Sequence, residues 1–193
     1  MRCEKGFGRE TRRIMGLNRG LVQVYTGNGK GKTTASIGLA IRAVGAGFRV
    51  LMVQFIKGVR KTGELETAAF LYPKFRIVPA GKGFVQLGSR SESSPADSAE
   101  AAMSALMFAW ECMESGEYDV IILDEVNCAL SLGLIPVNEV VRMIEMKPEG
   151  VELVLTGRGA DPKVMEIADL VTEMREVKHP FRNGIAARRG IEF

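Results

Sequence analysis

The sequence predicts a three-layer α/β domain with a mainly parallel central sheet. From residue 21 onward, short apolar runs rich in β-branched residues alternate with longer helical stretches. The runs are nearly continuous in apolarity, which is typical of parallel strands covered by helices on both faces. A chain of 193 residues, 46% of them hydrophobic, can bury one such core but not a second of similar size. We therefore assign residues 21–193 to a single domain.

Six segments have the pattern of buried strands, and two helices have clear starting signals. Ser94 and Pro95 suit the N-cap and first helical position of a helix that stops at Gly116, and Asp161 with Pro162 repeats the same device. The strands are predicted within residues 21–26, 49–55, 75–80, 119–126, 151–157 and 169–174.

Two segments fall outside this alternation. Residues 1–20 carry six basic and two acidic residues with poor apolar periodicity, and we predict that they form a mobile arm. Residues 81–94 are polar and contain several glycines, and they are too long for a plain connection in a compact domain. Such loops often carry function, so this one is a candidate functional loop.

Composition excludes several classes of protein. The excess of 26 basic over 23 acidic residues gives a net charge of +3, which is too small to indicate a nucleic-acid-binding protein. Cys3, Cys112 and Cys128 are far apart and odd in number, so neither a disulfide framework nor a cysteine zinc site is predicted. No run reaches about 18 apolar residues, and residues 1–20 lack the apolar core of a signal peptide. We expect a cytoplasmic protein with neither a nucleic-acid nor a membrane partner.

The stretch "VYTGNGKGKTTASIG", residues 24–38, reads as a strand, a glycine loop and a helix. The glycines can adopt backbone conformations that turn successive N–H groups inward as an anion-binding nest at a helix N-terminus. Lys32 adds a charge for the outer phosphates, and Thr33 places a hydroxyl where a magnesium ion bridges phosphate oxygens. The residues predicted to bind ATP here are Gly27, Asn28, Gly29, Lys30, Gly31, Lys32, Thr33 and Thr34.

The loop departs from the general phosphate-loop pattern at its first position. That pattern, G-x-x-x-x-G-K-[ST], asks for glycine at position 26, where this chain has Thr26, and Gly27 follows one residue late. The loop is therefore predicted to be tight and offset.

An acidic pair follows the strand predicted within residues 119–126. Asp124 and Glu125 lie at its carboxyl end, on the same edge of the sheet as the glycine loop. The carboxylates could bind magnesium directly or through water, Glu125 could activate a water for hydrolysis, or the two could form a solvated pair without function.

His179, the only histidine, is predicted to be a loop or structural residue. Core positions are predicted for Met103, Met107, Met113 and Cys128.

Taken together, the motifs resemble those of the P-loop type of ATP:corrinoid adenosyltransferase, also called cob(I)alamin adenosyltransferase. The similarity runs from about residue 21 to residue 193. A threonine before GNGKGKT is a trait of this family, which accounts for Thr26. The matching segments are "TGNGKGKTTA", "RAVGAG", "VQFIKG", "ILDEV", "LTGRG" and "VKHPFRNGIAARRGIEF".

The resemblance implies a P-loop NTPase-like fold and a reaction other than hydrolysis. In the family, cobalt(I) of a reduced corrinoid attacks the 5′-carbon of ATP, and triphosphate leaves intact. ATP binds reversed, with its γ-phosphate where ordinary ATPases place the β-phosphate. The resemblance implies that Lys32, Thr33 and Glu125 are catalytic and that Thr33 and Glu125 are magnesium ligands. Asp124 would contact these ligands without binding the ion, and Arg158 would line the nucleotide pocket.

The resemblance also implies partners. These are the corrinoid, a flavin-dependent reductase or flavodoxin as electron donor, and a second copy of the chain in a homodimer, whose site would be covered by the arm at residues 1–20. Phe84 and Gln86 would face the corrinoid. The family carries a "GFxW" pattern there, whereas this chain reads "GFVQ", so the tryptophan is replaced by Gln86.

Two other functions stay open from the sequence. An ATP-hydrolysing motor or switch domain is favoured by Glu125 directly after Asp124, where it could activate water. A corrinoid- or nucleotide-binding protein without catalysis is favoured by the missing tryptophan at Gln86. The hydrolase would release ADP and phosphate, the transferase would release triphosphate, and the binding protein would release neither.

Overall fold

The computed structural model describes residues 16–56, 62–80 and 94–192. Within these residues, six parallel strands form one sheet: β1 (Val22–Thr26), β2 (Val50–Gln54), β3 (Phe75–Pro79), β4 (Val120–Asp124), β5 (Glu152–Thr156) and β6 (Leu170–Glu173). Their order across the sheet is β3-β2-β4-β5-β1-β6. Each strand lies inside a predicted segment, so the positions of the strands are confirmed. β6 is exposed along its whole length, however, so the prediction of a buried strand was wrong for it.

Helices connect the strands, and the two predicted helix starts are confirmed. At the first, the Ser94 side chain accepts from the backbone N–H of Asp97 and the Asp97 carboxylate accepts from that of Ser94, a reciprocal cap. At the second, Asp161 accepts from the backbone N–H of Lys163 at 2.9 Å. The helices are α1 (Lys32–Gly45), α2 (Gly63–Leu71), α3 (Pro95–Glu114), α4 (Val126–Ser131), α5 (Val137–Glu145) and α6 (Pro162–Ile167), with a 3₁₀ turn at Pro180–Asn183.

The core lies on both faces of the sheet, as the nearly continuous apolarity of the strands predicts. Successive residues of β2 and β4 alternate between the faces, and every residue of these two strands is buried. One face packs against α1 and α2, and the other against α3 to α6. Three layers result. Of the predicted core methionines, Met113 is fully buried and Met103 is partly buried against the core, but Met107 is 51% exposed, so that prediction was wrong.

The register of the sheet brings the polar ends of several strands together. Asp124 of β4 lies beside Gln54 of β2, Thr156 of β5 beside Tyr25 of β1, and Glu173 of β6 beside Thr26. Because all strands run parallel, these side chains share the carboxyl edge of the sheet, where α/β proteins bind ligands.

Parts of two predicted segments lie outside the described residues, namely 1–15 of the arm and 81–93 of the candidate functional loop. Residues 16–20 lie at the opposite, amino edge of the sheet. There the N–H of Gly20 donates to the carbonyl of Glu149 at 2.7 Å. No helix within the described ranges is long and apolar enough to cross a membrane.

Candidate active site

The glycine loop joins β1 to α1 and fits tightly against the end of β6. Gly27 and Gly31 have φ angles of 92° and 119°, in the left-handed region that favours glycine. A Cβ on Gly29 would lie 2.7 Å from the carbonyl oxygen of Met174, which accepts from the N–H of Gly29 at 2.6 Å. The loop conformation therefore depends on glycine for both dihedral freedom and close packing.

Thr26, which replaces the glycine of the general pattern, has a structural use here. It is the last residue of β1 and is only 8% exposed. Its hydroxyl accepts from the N–H of Ala160 at 3.2 Å, and its carbonyl accepts from the N–H of Met174 at 2.8 Å. A glycine could make only the second of these contacts. Thr26 thus ties the start of the glycine loop to the segment that follows β5.

Lys32 opens α1 and lies beneath the glycine loop. The residue is 6% exposed, and its Nζ donates to the carbonyls of Gly27 at 2.8 Å and Gly29 at 2.7 Å. Burial lowers the pKa of Lys32, and the nearby Glu125 carboxylate opposes that shift. The ammonium is therefore held inside the loop by carbonyl dipoles, next to the N-terminus of α1, where an anion is favoured.

Asp124 is fully buried at the end of β4 and is held through both of its oxygens. Its Oδ1 accepts from the hydroxyls of Thr33 at 2.8 Å and Thr156 at 2.7 Å. Its Oδ2 accepts from Nε2 of Gln54 at 3.3 Å. A buried carboxylate needs such donors to offset the loss of hydration. The resemblance places Asp124 beside Thr33, whereas the contacts of Asp124 with Gln54 and Thr156 were not predicted from the sequence.

Glu125 has an unusual backbone. With φ 64° and ψ 18°, it is the only non-glycine residue with positive φ in the described part of the chain. That conformation costs an L-residue about 1–2 kcal/mol and is concentrated at functional sites. Two contacts hold it: the N–H of Glu125 donates to Oγ1 of Thr156 at 3.0 Å, and Oε2 accepts from Sγ of Cys128 at 2.7 Å.

Cys128 takes part in this arrangement instead of filling the core, so the core prediction for it was wrong. The residue is partly exposed, and besides donating to Glu125, its Sγ accepts from the N–H of Arg158 at 3.2 Å. Burial, with the negative Glu125 beside it, raises the pKa of the Cys128 thiol to about 12. The thiol is therefore protonated at neutral pH and serves as a hydrogen-bond donor.

A cavity of about 760 Å³ adjoins the glycine loop on the β6 side. This volume lies within the usual range for small-molecule sites. Arg182 and Glu176 form an ion pair at 2.6 Å on its wall. Three guanidinium groups around one cavity suit a polyphosphate, because arginine binds phosphate in a bidentate manner. The lining residues are Asn28, Arg158, Glu173, Arg175, Glu176 and Arg182.

Comparison with known proteins gives the family. The sequence profile described as ATP:corrinoid adenosyltransferase BtuR/CobO/CobP matches residues 18–193. The chain belongs to this family. It is 38% identical to a corrinoid adenosyltransferase of Pseudomonas aeruginosa, covering 91% of this chain and 84% of that protein. Identity to those of a Sinorhizobium species and Escherichia coli is 41% and 37%, with 91% of this chain covered in each case and 81% and 86% of the relatives.

Membership confirms the resemblance seen in the sequence, and the sheet confirms the P-loop NTPase-like fold. A solved KaiC-like protein from Pyrococcus horikoshii aligns with a TM-score of 0.49 and 20% identity, covering 84% of this chain and 76% of that chain.

The structure brings most of the predicted site residues of this adenosyltransferase-family chain to one edge. Thr34 is exposed on the first turn of α1, and Nζ of Lys30 lies 3.4 Å from the carbonyl of Ile191 in the C-terminal tail. Phe84 and Gln86 lie outside the described residues. His179 caps the 3₁₀ turn by accepting from the N–H of Phe181 at 3.2 Å, so its predicted structural role is confirmed.

The oxygen groups at this edge fit a magnesium ion. Thr33, Asp124 and Glu125 offer a hydroxyl and two carboxylates, which are the hard ligands that magnesium prefers. The described ranges contain no cluster of three or more His, Cys, Asp or Glu that could hold a metal alone. Magnesium commonly completes its coordination with water and substrate phosphates, so the ion would need only part of its ligands from these residues.

Proposed function

We propose that this protein transfers the 5′-deoxyadenosyl group of ATP to the cobalt(I) of a reduced corrinoid and releases triphosphate. The observation that carries the proposal is the meeting of the glycine loop, Lys32 and the Asp124–Glu125 turn at one edge of the sheet. These features occur in a chain that belongs to the adenosyltransferase family over residues 18–193.

The transfer of the adenosyl group needs no added acid or base. The electron pair of cobalt(I) forms the Co–C5′ bond, and the bond from C5′ to the triphosphate oxygen breaks with its electrons on that oxygen. Cobalt is thereby oxidised to cobalt(III), and the triphosphate carries away the charge. Because no proton has to move at C5′, catalysis depends on alignment and on stabilising the charge that builds on the leaving group.

The chain's own residues supply that stabilisation. The ammonium of Lys32 and the N–H groups of the glycine loop bind the phosphates, apart from the N–H of Gly29, which donates to Met174. Thr33 and Glu125 would hold magnesium, with Asp124 fixing the Thr33 hydroxyl at 2.8 Å, and the ion would neutralise phosphate charge when bound. Arg158 lies in the cavity beside the loop, where its guanidinium can bind phosphate.

We also propose the setting in which the enzyme works. Phe84 and Gln86 face the corrinoid, a flavin-dependent reductase or flavodoxin delivers the electrons, and the chain forms a homodimer in the cytoplasm. The arm at residues 1–20 covers the partner's site in that dimer. These proposals rest on the family resemblance of the motifs.

Anaerobic incubation with ATP, magnesium and chemically reduced cobalamin tests the proposed function. We expect one triphosphate for each adenosylcorrinoid formed, and no ATP loss when the corrinoid is left out. Corrinoid-independent release of ADP and phosphate, abolished in Glu125→Gln, would instead identify a hydrolase. Corrinoid and ATP binding without any product would identify a binding protein.

A further inference from the structure

Glu125 is held at two points, its backbone and its carboxylate, by residues from two different elements. We infer that Thr156 and Cys128 are positioning residues that set the Glu125 carboxylate for magnesium and thereby make ATP binding depend on the ion. This inference rests on the proposed function in one respect, because it takes Glu125 as a magnesium ligand. We call this pair, Thr156 and Cys128, the Glu125 clamp.

Thr156 holds the backbone side of the clamp. It ends β5, is fully buried, and uses its hydroxyl in both directions. The hydroxyl donates its one proton to Asp124 at 2.7 Å and accepts from the N–H of Glu125 at 3.0 Å. One oxygen atom therefore fixes both acidic residues relative to β5. A valine at this position would keep the shape but leave a buried oxygen and a buried N–H each with one partner fewer.

Cys128 holds the carboxylate side. It lies three residues after Glu125, one turn along α4, and its thiol donates to Oε2 at 2.7 Å. The same sulfur accepts from the N–H of Arg158 at 3.2 Å. A Cβ on Gly157 would lie 2.9 Å from the backbone nitrogen of Cys128, so the two segments pack backbone against backbone. The clamp thus connects Glu125 to the segment that carries Arg158.

The left-handed backbone of Glu125 explains why a clamp is needed. An L-residue without these contacts favours the right-handed or extended conformations, and the change would move the carboxylate from its present position. ATP could still enter the glycine loop, because the hydrogen bonds of the Lys32 ammonium among the described residues go to Gly27 and Gly29 and not to the clamp residues. The clamp should therefore act only on the magnesium-dependent part of ATP affinity.

That separation defines the experiment. Isothermal titration calorimetry would measure the dissociation constant of ATP without corrinoid, once in EDTA and once in excess magnesium, for the parent, Thr156→Val and Cys128→Ala. We expect the affinity gained from magnesium to fall by about 10- to 100-fold in each variant, the usual effect of losing a partner of a metal ligand. The affinity in EDTA should stay within about twofold of the parent.

Conservative variants and a matched control sharpen the result. Thr156→Ser and Cys128→Ser keep a hydroxyl and should retain most of the magnesium effect. Cys112→Ala removes a cysteine that lies in α3, away from the site, and should leave the effect unchanged. Thermal unfolding would establish that each variant folds. Should Thr156→Val fail to fold, the Cys128→Ala and Cys128→Ser pair decides the question.

Three results would overturn the inference. Thr156→Val and Cys128→Ala could keep the full magnesium effect while Glu125→Gln loses it, which would make the clamp irrelevant. The variants could lose affinity equally in EDTA and magnesium, which would indicate a general structural role. Glu125→Gln could itself keep the magnesium effect, so that Glu125 is no ligand. In each case, triphosphate release by the parent would still decide the proposed function separately.

Discussion

Two lysines at opposite ends of the sheet bind backbone carbonyls in nearly the same way, but the surroundings of their ammonium groups differ. Lys32, at the carboxyl edge, donates to the carbonyls of Gly27 and Gly29. Lys147, at the amino edge, donates to those of Gly20 and Val151 at 2.8 Å and Pro148 at 3.3 Å. Burial lowers the pKa of both.

The difference lies in what surrounds each ammonium group. Lys147 uses all three of its donors to join the segment before β1 to the segment before β5, so its contacts are complete without a ligand. Lys32 makes two such contacts within the described residues, inside a glycine loop at a helix N-terminus. Phosphate oxygens can replace those carbonyls. We therefore propose that the same interaction is structural at the amino edge and gives way to a phosphate ligand at the carboxyl edge.

The largest effect on activity should come from Lys32→Ala. It removes a charge-assisted contact to the triphosphate, and the lost transition-state stabilisation should be about 2–4 kcal/mol, or roughly 30- to 1000-fold in kcat/KM. Anaerobic initial rates of adenosylcorrinoid formation would measure it. Turnover near the parent rate at saturating ATP would show that the glycine loop does not anchor the reaction.

The opposite result is expected for Lys147→Met, the matched variant at the amino edge. Three buried carbonyls each lose one donor, so the free energy of unfolding should fall by about 1–3 kcal/mol, while kcat/KM at low temperature stays near the parent value. Urea unfolding and the same rate assay would measure both quantities. If Lys147→Met kept full stability but lost activity, Lys147 would not be the structural counterpart of Lys32.

Thr26→Val tests whether the contact just before the glycine loop contributes to ATP binding at the carboxyl edge of the sheet. Its effect should be the smallest of the three. The variant keeps the shape of β1 but leaves the N–H of Ala160 without the Thr26 hydroxyl. We expect a loss of about 0.5–1.5 kcal/mol in stability and a severalfold rise in the KM for ATP, since Arg158 lies in the tied segment. An unchanged KM for ATP would show that only the glycine loop and the acidic turn contribute to ATP binding at this edge, and that Thr26 does not.

The sequence predicted the features that depend on neighbouring residues. The six strands follow from local apolar runs, the two helix starts from their caps, and the phosphate loop from its glycines between a strand and a helix. Lys32 lies where that local pattern places it. Family membership then confirmed the activity class that the motifs indicated.

Features that depend on distant parts of the chain were missed. Thr156 and Gln54 reach Asp124 only because β4 lies between β2 and β5, an order that no local pattern gives. Arg182 reaches the cavity because the C-terminal tail returns to the glycine loop. Cys128 was predicted to be a core residue, although its position three residues after Glu125 allows a contact across one helical turn.

ATP carrying carbon-13 at the 5′ position tests most directly whether the phosphate end of ATP is held while its 5′-carbon is transferred. After anaerobic reaction with reduced cobalamin, carbon-13 NMR should find the label bonded to cobalt in the corrinoid, and phosphorus-31 NMR should find intact triphosphate. A label that stays in ADP, with free phosphate as the other product, would contradict adenosyl transfer and indicate ATP hydrolysis.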